Sequence, residues 1–393
     1  MPDILLNVIE MRILILARGV PNEHDPQEGC FEFDQAKALK SAGHEVVIMA
    51  VDSRVRKFRR KFGVEKKIID GIPTYKLFLF PTSIVRRLIS FRLGVNFEAS
   101  EAIWLYKYVV GKEGDFDILH GHFLTSIYYA ARIKSKYGIK IIGTEHWSKV
   151  NTSRPSSDII YMGNRAYPQL DKLISVSDSL RMRIKENFNV DSKVIHNLID
   201  TSNLRPLTET CKNEGKNFKI VLVGSLIRRK GFDFFINAFA KSSLAKRNDT
   251  EVVIIGGGGE YNRLKEQIIS LDLLEKISLI GQKPKNIIFD ELHSASLFVL
   301  PSRNENFSVS VLEALANGLP VIATICGGIR ECIDSTNGML VEVDNEQEMV
   351  DALESMYENH DSFDRSKIRE SALSQYSPES IANMLNEVYN EVR

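Results

Sequence analysis

Short apolar runs alternate with longer amphipathic stretches along this chain, and the alternation stops once before it resumes. Runs such as Met11–Ala17 and Glu45–Val51 are continuously apolar, which is typical of strands covered on both faces in a parallel sheet. The polar stretch Thr201–Asn217 interrupts the pattern, and further apolar runs begin at Phe218. The chain is therefore predicted to be an α/β protein with two doubly wound parallel domains in tandem.

A length of 393 residues also favours two domains over one. We expect an N-terminal domain over residues 1–205, a C-terminal domain over residues 206–375, and a last helix over residues 376–393. Ser377 and Pro378 suit the N-cap and the first position of that helix. Because open parallel sheets bind ligands beyond the carboxyl ends of their strands, the residues that follow strands are the candidates for function.

The composition excludes several classes of protein. Apolar residues make up 44% and charged residues 26% of the chain, which argues against a fibrous or disordered protein. No apolar run approaches the ~20 residues of a transmembrane helix, and the N-terminus makes a poor signal peptide. The four cysteines show neither disulfide-framework nor metal-ligand spacing. A cytoplasmic protein without a metal site is expected.

The net charge of zero conceals an asymmetry, because residues 1–200 contain 30 Lys or Arg and 23 Asp or Glu. Much of this positive excess lies in the stretches Arg54–Lys67 and Arg86–Leu93. Basic residues interleaved with apolar ones can lie on an anionic lipid surface, and the alternative is a solvated loop or helix face. Charge alone leaves both alternatives open. Nucleic acid is disfavoured because the domain as a whole is not strongly basic.

The segment Pro301–Glu313, PSRNENFSVSVLE, joins a predicted strand to a helix that begins near Ser308. The start of such a helix offers free backbone N–H groups and the positive end of its dipole, which suits a diphosphate. Glu313 could accept hydrogen bonds from a ribose diol, and Glu305 could reach a sugar hydroxyl. Taken alone, the two glutamates are better explained as surface carboxylates of an amphipathic helix.

Two glycine-containing loops follow strands of the second predicted domain. In GSLIRRKG, residues 224–231, Gly224 allows a turn, while Arg229 and Lys230 would neutralise phosphate oxygens. Basic loops of this kind are also common without a ligand. The run Gly256–Gly259 permits close approach of a ligand to the backbone. Neither the phosphate-loop motif nor the dinucleotide fingerprint is present, so a nicotinamide dehydrogenase is disfavoured.

Three histidines lie at the ends of predicted strands in the first domain. His120 and His122 are two residues apart, so their side chains would point the same way from one strand, and His146 follows another strand. Each could bind a hydroxyl or a phosphate, and each could equally be a partly buried structural residue. They offer too few ligands for a zinc site.

Together these motifs resemble those of the family 4 retaining glycosyltransferases, whose GT-B architecture has two Rossmann-like domains facing each other across a cleft. The most specific part is PSRNENFSVSVLEALANGLPVIAT with the CGGIRE that follows it, which is similar to the family's Glu-x7-Glu motif and the adjoining helix and turn. VGSLIRRKG, VIHNLID and LIGQ are similar to further landmarks in the same order. The resemblance covers nearly the whole chain.

The resemblance implies roles for residues of the second domain, which would bind the donor. Glu305 would contact the donor sugar, Glu313 would hold the ribose, and Arg229 with Lys230 would bind the donor diphosphate. Ile280 and Gly281 would lie beside the base, and the helix start at Phe307 and Ser308 would assist with backbone N–H groups. The other donor-site residues that the resemblance implies are Gly29, Gly224, Ser225, Gly256, Gly258, Asn306 and Val309.

The resemblance also assigns the acceptor to the first domain, on which the last helix would pack. His146 would approach the donor sugar, and His122 would lie on the acceptor side. The expected catalytic residues are then Glu305, His146, Lys230 and Arg229.

Some residues depart from the family pattern. Ser225 stands where many members have Arg, and Leu198 replaces a usual Gly. Asn306 and Ser308 replace the two common glycines around Phe307. These departures remove no essential charge, but they could shift the preference for the sugar.

The implied reaction moves a sugar from a nucleotide-diphosphate sugar, with UDP favoured, to a hydroxyl of a glycan or lipid-linked acceptor. The configuration at the anomeric carbon is retained by front-face attack, with the leaving diphosphate accepting the proton. The chain has no Asp-x-Asp motif, which fits a reaction without metal or other cofactor. The context would be capsule, exopolysaccharide or lipopolysaccharide synthesis on the inner face of a bacterial membrane. The alternatives are a non-catalytic nucleotide-sugar binder and another GT-B enzyme such as a nucleotide-sugar epimerase.

Overall fold

A computed structural model describes residues 10–22, 28–54, 62–80, 90–207 and 218–393. The chain divides into two compact units. Unit 1 comprises Met1–Leu198 together with Pro378–Arg393, and unit 2 comprises Ile199–Ser377. Each unit has its own sheet and its own apolar core. The predicted boundary at residue 205 and the acceptor and donor roles of the two domains stay predictions.

Unit 1 is built on an eight-stranded sheet in the order β3-β4-β2-β1-β5-β6-β7-β8. All neighbouring strands are parallel except the pair β3 and β4. The central strands are almost wholly buried, as their continuous apolar sequences predict. The strands are β1 (Arg12–Ala17), β2 (Glu45–Asp52), β3 (Gly63–Ile69), β4 (Ile72–Phe78), β5 (Ile118–His122), β6 (Lys140–Glu145), β7 (Lys172–Ser175) and β8 (Lys193–Val194). The helices described in unit 1 are α1 (Cys30–Ser41), α2 (Phe91–Glu113), α3 (Phe123–Tyr137), α4 (Ser157–Ala166), α5 (Asp178–Phe188) and, from the end of the chain, α12 (Pro378–Val392).

Unit 2 contains a six-stranded, entirely parallel sheet in the order β11-β10-β9-β12-β13-β14. Its strands are β9 (Phe218–Val223), β10 (Thr250–Ile255), β11 (Ile277–Gly281), β12 (Leu297–Leu300), β13 (Val321–Thr324) and β14 (Gly338–Val341). Its helices are α6 (Phe232–Lys241), α7 (Tyr261–Ser270), α8 (Lys285–His293), α9 (Val309–Ala316), α10 (Glu346–Asn359) and α11 (Arg365–Tyr376). The prediction of two doubly wound α/β sheets is confirmed. Within the described ranges, no helix is both long and apolar enough to cross a bilayer.

The hairpin of β3 and β4 was not predicted from the sequence. It turns at Asp70 and Gly71, which both have positive φ angles of 50° and 72°, as the two-residue turn of a hairpin requires. The edge strand β3 carries Lys66 and Lys67 from the basic stretch Arg54–Lys67 and is largely exposed, so it lacks the apolar run by which the other strands are recognised. Positions 55–61 of that stretch and positions 81–89, which include Arg86 and Arg87, lie outside the described residues.

The last helix, α12, completes the core of unit 1. Its apolar stripe packs with residues of β1, β2 and α1, and Leu385, Val388 and Tyr389 are fully buried. Two buried hydrogen bonds accompany this packing. His44 Nε2 lies 2.7 Å from Asn386 Oδ1, and His120 Nδ1 lies 2.7 Å from the Tyr389 hydroxyl. Unit 1 therefore depends on residues from both ends of the chain.

We expect Tyr389→Phe to destabilise unit 1 by about 1–3 kcal/mol, because the substitution keeps the ring but leaves the buried His120 Nδ1 without its partner. Denaturant unfolding would measure the loss. Tyr137→Phe is the matched control, because that ring is partly exposed on the surface. Equal stability of the two variants would contradict a contribution from the buried hydrogen bond.

Candidate active site

The strand order of unit 2 reverses between β9 and β12, and the segments after these two strands carry the predicted donor-site charges. Lys230, after β9, donates through Nζ to Glu305 Oε1, after β12, at 2.5 Å. Ser302 Oγ donates to the same oxygen at 2.8 Å, and Arg229 Nη1 lies 3.8 Å from Glu305 Oε2. Because ligands of open α/β sheets bind where the strand order reverses, these residues lie at the expected ligand edge.

Two arginines hold the loops after β9 and β12 together. Arg229 donates through Nη1 to the carbonyl of Asn304 at 2.7 Å. Arg303 donates through Nη1 to the carbonyl of Arg228 at 2.6 Å and to Asp233 Oδ1 at 2.9 Å. Arg303 and Ser302 were not predicted as site residues, although both belong to the motif that contains Glu305. The role of Arg303 depends on contacts with Arg228 and Asp233 in the other loop, and the sequence does not reveal which loops are neighbours.

Close backbone contacts between the loops require glycine at two positions. Gly231 has φ +66°, and a Cβ atom there would lie 1.9 Å from the carbonyl oxygen of Pro301. Gly327 has φ +56°, and a Cβ atom there would lie 1.6 Å from the carbonyl oxygen of Glu305. A side chain at Gly231 would therefore push apart the segments that carry Lys230 and Glu305, and one at Gly327 would push the loop after β13 away from Glu305.

The other predicted donor-site glycines lie at the ends of adjacent strands. The Gly256 N–H donates to the Gly281 carbonyl at 3.0 Å, and the Gly224 N–H donates to the Ile255 carbonyl at 3.0 Å. Gly258 follows in the same loop as Gly256. Ser225 is exposed and Ile280 is half-buried. The structure therefore brings the ends of β9, β10 and β11 together along one edge of the sheet.

The segment before α9 is covered by protein. Glu305 is 6% exposed and Glu313 is 8% exposed. Asn306 accepts at its carbonyl from the Gly328 N–H at 2.9 Å, and the Phe307 ring lies 5.6 Å from the Tyr376 ring. Burial of both carboxylates excludes the alternative in which they decorate the surface of an amphipathic helix, because carboxylates are rarely buried without a partner or a role.

Helix α9 begins as the sequence predicted, with Ser308 at its N-cap and Val309 as its first residue. Ser308 Oγ lies 3.0 Å from Ser310 Oγ and makes no capping hydrogen bond with the backbone. The first residue of α9 comes four residues after Glu305 in the chain. This side of the sheet edge therefore combines a helix N-terminus with two cations, which together favour an anion.

Cys326 lies on the loop after β13, beside this cluster. Burial, together with the negative charge of Glu305, raises the pKa of the Cys326 thiol to about 11. The thiol is thus protonated near neutral pH, and a thiolate nucleophile is excluded at this position.

In unit 1, the three histidines form a hydrogen-bonded and stacked group. The rings of His120 and His122 stack at 4.5 Å, as their spacing on β5 predicts. His146 Nδ1 lies 3.1 Å from Asn197 Oδ1, and His146 Nε2 lies 3.1 Å from His122 Nδ1. With Asn197 Oδ1 as acceptor, His146 donates through Nδ1 and accepts from His122 at Nε2. Both nitrogens of His146 are thus engaged within unit 1.

Burial sets the protonation of this histidine group. It lowers the pKa of His120 and of His146 to about 3, and the positive charge of Arg18 acts in the same direction on His146. Burial also holds the pKa of His122 well below its ordinary value. All three imidazoles are therefore neutral near pH 7. A neutral His146 can give and accept hydrogen bonds but brings no positive charge to a phosphate.

The surroundings of His146 fix its ring rather than its charge. The ring packs against those of Phe31 at 5.6 Å and Phe123 at 4.8 Å, which contact each other at 6.4 Å. The Arg18 guanidinium lies 3.3 Å from the centre of the Phe123 ring. Phe123 has a φ of 64°, which is strained for a residue with a bulky side chain. Strain of this kind is found preferentially at functional sites.

Glu145 supports the same loop from behind. It accepts hydrogen bonds from the backbone N–H groups of His146 at 3.0 Å and Trp147 at 2.8 Å. The Tyr167 hydroxyl donates to its other oxygen at 2.8 Å. Burial raises the pKa of Glu145 to about 7 in spite of these donors.

The two remaining predicted residues of unit 1 occupy different environments. His122 is fully buried behind His146, so its direct partner is a protein side chain. Gly29 is the N-cap of α1 with φ +68°, and a Cβ atom there would lie 2.2 Å from the Gly19 carbonyl oxygen. Gly29 therefore closes the loop between β1 and α1 at the carboxyl edge of the sheet.

Comparison with known proteins assigns the chain to a family. The family described as "Glycosyl transferases group 1" matches residues 209–375, and "Glycosyltransferase Family 4" matches residues 33–203. The chain belongs to glycosyltransferase family 4. It is a retaining glycosyltransferase, and it transfers a sugar.

Relatives and solved structures agree with this assignment. The putative teichuronic acid biosynthesis glycosyltransferase TuaC of Bacillus subtilis is 27% identical over 370 residues, which cover 87% of this chain and 88% of TuaC. Sucrose-phosphate synthase from Thermosynechococcus elongatus superposes with a TM-score of 0.77 at 17% identity, over 97% of this chain and 99% of that one. Anabaena Alr3699/HepE, solved in complex with UDP, gives a TM-score of 0.71 at 17% identity, over 97% and 100%. These likenesses establish the GT-B fold of this family 4 glycosyltransferase.

A buried ionic cluster in the glycosyltransferase was missed from the sequence. Lys76 on β4 donates to Glu28 Oε1 at 2.8 Å and lies 3.4 Å from Asp52 Oδ2 at the end of β2. Arg54 pairs with both carboxylates, and a Cβ atom at Gly19 would lie 2.2 Å from Glu28 Oε1. The cluster thus ties the loop between β1 and α1 to the ends of two strands. The sequence held one indication of this cluster, because Lys76 is a charged residue within the largely apolar strand β4.

We expect Glu28→Gln to destabilise the glycosyltransferase by about 3–5 kcal/mol, because it leaves the buried Lys76 with a single, longer ion pair. Denaturant unfolding would show the loss. Glu186→Gln is the control, since Glu186 forms an exposed pair with Arg183 that contributes at most about 1 kcal/mol. Similar effects of both substitutions would contradict the role given to the buried cluster.

We also expect the protein to become less stable as the pH is lowered, because of His120. Its pKa is about 3 in the folded chain against an ordinary 6.5, so only the unfolded chain takes up this proton as the pH drops below 6.5. Glu145 acts in the opposite direction, since its raised pKa lets the folded chain bind a proton between about pH 7 and 4.5.

The contribution of His120 can be measured by denaturant unfolding of the unmodified protein and of a His120 variant at about pH 7 and about pH 5. In His120→Gln, the loss of stability between these pH values should be smaller than in the unmodified protein by about 2 kcal/mol. His360→Gln in unit 2 provides the control. An unchanged pH dependence in His120→Gln would show that His120 is not the group responsible.

Proposed function

We propose that this enzyme binds a UDP-sugar on unit 2 and transfers the sugar to a hydroxyl of a glycan or lipid-linked acceptor. The observation that carries this proposal is the cluster of Lys230, Glu305 and Ser302, where the strand order of unit 2 reverses. In this proposal Lys230 and Arg229 bind the diphosphate and stabilise the charge that develops on it as the glycosidic bond breaks. Positioned cations of this kind act on the transition state without being reorganised during the reaction.

The two glutamates have different tasks in this proposal. Glu305, hydrogen-bonded to Lys230 and Ser302, accepts a hydrogen bond from a hydroxyl of the donor sugar. Glu313, buried within α9, binds the ribose hydroxyls. Glu305 does not serve as a nucleophile. Retention instead follows from attack of the acceptor on the face that the diphosphate leaves, with the leaving diphosphate taking the acceptor's proton. The remaining catalytic contribution is the positioning of the two substrates.

His146 has a supporting role in this proposal. Because Asn197 and His122 engage both of its ring nitrogens, His146 acts by positioning rather than by proton transfer. Its neutral state brings no positive charge to the donor diphosphate. His122 keeps His146 in one orientation.

The donor base and the pathway are argued from similar proteins. Anabaena HepE was solved with UDP, and we propose UDP as the donor nucleotide of this chain on that ground. TuaC is named as a putative glycosyltransferase of teichuronic acid biosynthesis. We therefore place the reaction in cell-surface polysaccharide synthesis, with the enzyme in the cytoplasm and peripheral on the inner face of the membrane.

Lys230→Met should lower sugar transfer, or hydrolysis of the UDP-sugar when no acceptor is present, by at least about 100-fold, because it removes a cation from the leaving group. UDP should raise the melting temperature of the unmodified protein more than GDP, ADP or CDP, and this shift should disappear in the variant. The double variant Lys230→Met/Glu305→Gln removes both charges of the buried pair, which restores stability without restoring turnover.

Lys241→Ala is the control, since Lys241 forms an exposed ion pair with Glu346 on another part of unit 2. Turnover that survives in Lys230→Met would overturn the role given to Lys230. A larger thermal shift with another nucleoside diphosphate would contradict UDP as the nucleotide of the donor. Nucleotide binding without transfer or hydrolysis would favour a non-catalytic binder.

A further inference from the structure

An exposed apolar stripe runs along α2 of unit 1. Leu93, Phe97, Trp104 and Tyr108 have exposed fractions of 62%, 49%, 50% and 37%. Their spacings of four, seven and four residues place them on one face of the helix, over a length of about 22 Å. The opposite face supplies the buried residues of α2, among them Val95, Ala99, Ala102 and Val109. The buried face therefore supplies most of the packing of α2 against unit 1, while the stripe leaves much of its apolar area exposed.

The stripe continues onto the hairpin of β3 and β4 through stacked rings. The Trp104 and Tyr108 rings stack at 5.6 Å, and Tyr108 meets Tyr75 of β4 edge-on at 6.2 Å. Lys112 Nζ lies 5.9 Å from the centre of the Tyr108 ring, and Lys66 Nζ lies 5.1 Å from that of Tyr75. Aromatic rings and lysines thus alternate across this surface, a combination that suits the boundary between lipid headgroups and acyl chains.

The charges around the stripe are mostly positive. Arg92, Lys107 and Lys112 are exposed on α2, and Lys67 is exposed on β3. Two acidic residues of α2 lie nearby: Glu113, at the end of α2, is already paired with Lys66 at 2.7 Å, and the half-buried Glu101 lies on the face of the stripe between Phe97 and Trp104. The sequence segments 55–61 and 81–89, which precede β3 and α2, contain seven further Lys or Arg and no Asp or Glu. Each positive charge near an anionic bilayer favours binding by roughly 1 kcal/mol.

We infer that the α2 apolar surface, defined as Leu93, Phe97, Trp104 and Tyr108, docks on an anionic lipid bilayer. The apolar side chains enter the headgroup region, while the surrounding lysines and arginines contact lipid phosphates. The inference extends the proposed function, because a lipid-linked acceptor is met at such a surface. It does not depend on turnover, since it rests on the exposed stripe and its charges alone.

The charge pattern favours a bilayer over a second copy of the chain. In a two-fold dimer the same patch meets itself, so the positive rim of one copy would face the positive rim of the other. Like charges at a contact oppose association, whereas an anionic bilayer complements them. A bilayer is also broad enough to cover the whole length of the stripe at once.

Co-sedimentation with vesicles tests the inference. The unmodified protein should bind vesicles that contain phosphatidylglycerol, should bind pure phosphatidylcholine vesicles much less, and should be released by high salt. The double variant Phe97→Ser/Trp104→Ser should bind at least about tenfold more weakly. The double variant Tyr137→Ser/Met182→Ser is the matched control, because it removes exposed apolar side chains of unit 1 from other positions.

Tryptophan fluorescence reports whether the stripe itself enters the bilayer. The chain has two tryptophans, of which Trp104 lies on the α2 apolar surface. Anionic vesicles should shift the emission of the unmodified protein to shorter wavelength, and Trp104→Phe should abolish the shift while keeping most of the binding. A shift that persists in Trp104→Phe would overturn insertion of this face.

Three outcomes would overturn the inference. They are equal binding by the Phe97→Ser/Trp104→Ser variant and the unmodified protein, equal binding to anionic and neutral vesicles, and a dimer of the unmodified protein that this variant dissociates. Hydrolysis of the UDP-sugar in solution keeps the two proposals apart. A variant that loses vesicle binding and keeps hydrolysis supports both proposals, whereas vesicle binding without hydrolysis or transfer would contradict only the proposed function.

Discussion

Polar groups that are taken out of water at the carboxyl ends of the two sheets must find partners within the protein, and the geometry of both candidate sites reflects this requirement. In unit 2, the buried Glu305 is held by Lys230 and Ser302. In unit 1, Glu28 and Asp52 surround Lys76, and His146 lies between Asn197 and His122. A buried charge without such partners would cost several kcal/mol. The same partners that satisfy these groups also hold the loops of the sites in place.

The two units therefore share a plan but differ in electrostatics. Each places candidate residues at the ends of the two strands that flank the reversal of strand order, β9 and β12 in one unit and β1 and β5 in the other, and further candidates follow neighbouring strands, as His146 follows β6. Unit 2 presents cations and a helix N-terminus, which suit an anionic ligand. Unit 1 presents neutral imidazoles and aromatic rings, which suit an uncharged polyhydroxyl ligand. This division agrees with a donor that carries a diphosphate and an acceptor that reacts through a hydroxyl.

The fold followed from the sequence wherever a strand is buried on both faces, because an apolar run such as Met11–Ala17 marks it clearly. The exposed edge strand β3 has no such run, and only the Asp70-Gly71 turn indicated its hairpin. Lys230 and Glu305 were identified because each belongs to a recognisable motif. Their ion pair could not be predicted, because the two residues are 75 positions apart in the sequence. Arg303 and Glu28 were missed for the same reason, as their partners come from other loops. Charge counts pointed to the region of the α2 apolar surface, but only the helix geometry separated its exposed side chains from the buried ones.

The course of the chain through the two units affects how the protein folds during synthesis. The ribosome makes residues 1–198 of unit 1 first, then all of unit 2, and the residues of α12 last. Until α12 has emerged, the apolar residues of α1, β1 and β2 that it covers remain exposed, and His44 and His120 lack two of their hydrogen-bond partners. Unit 2 is continuous in sequence and does not have this requirement. The nascent chain therefore carries an incomplete first unit, with exposed apolar surface that favours aggregation, throughout the synthesis of the second.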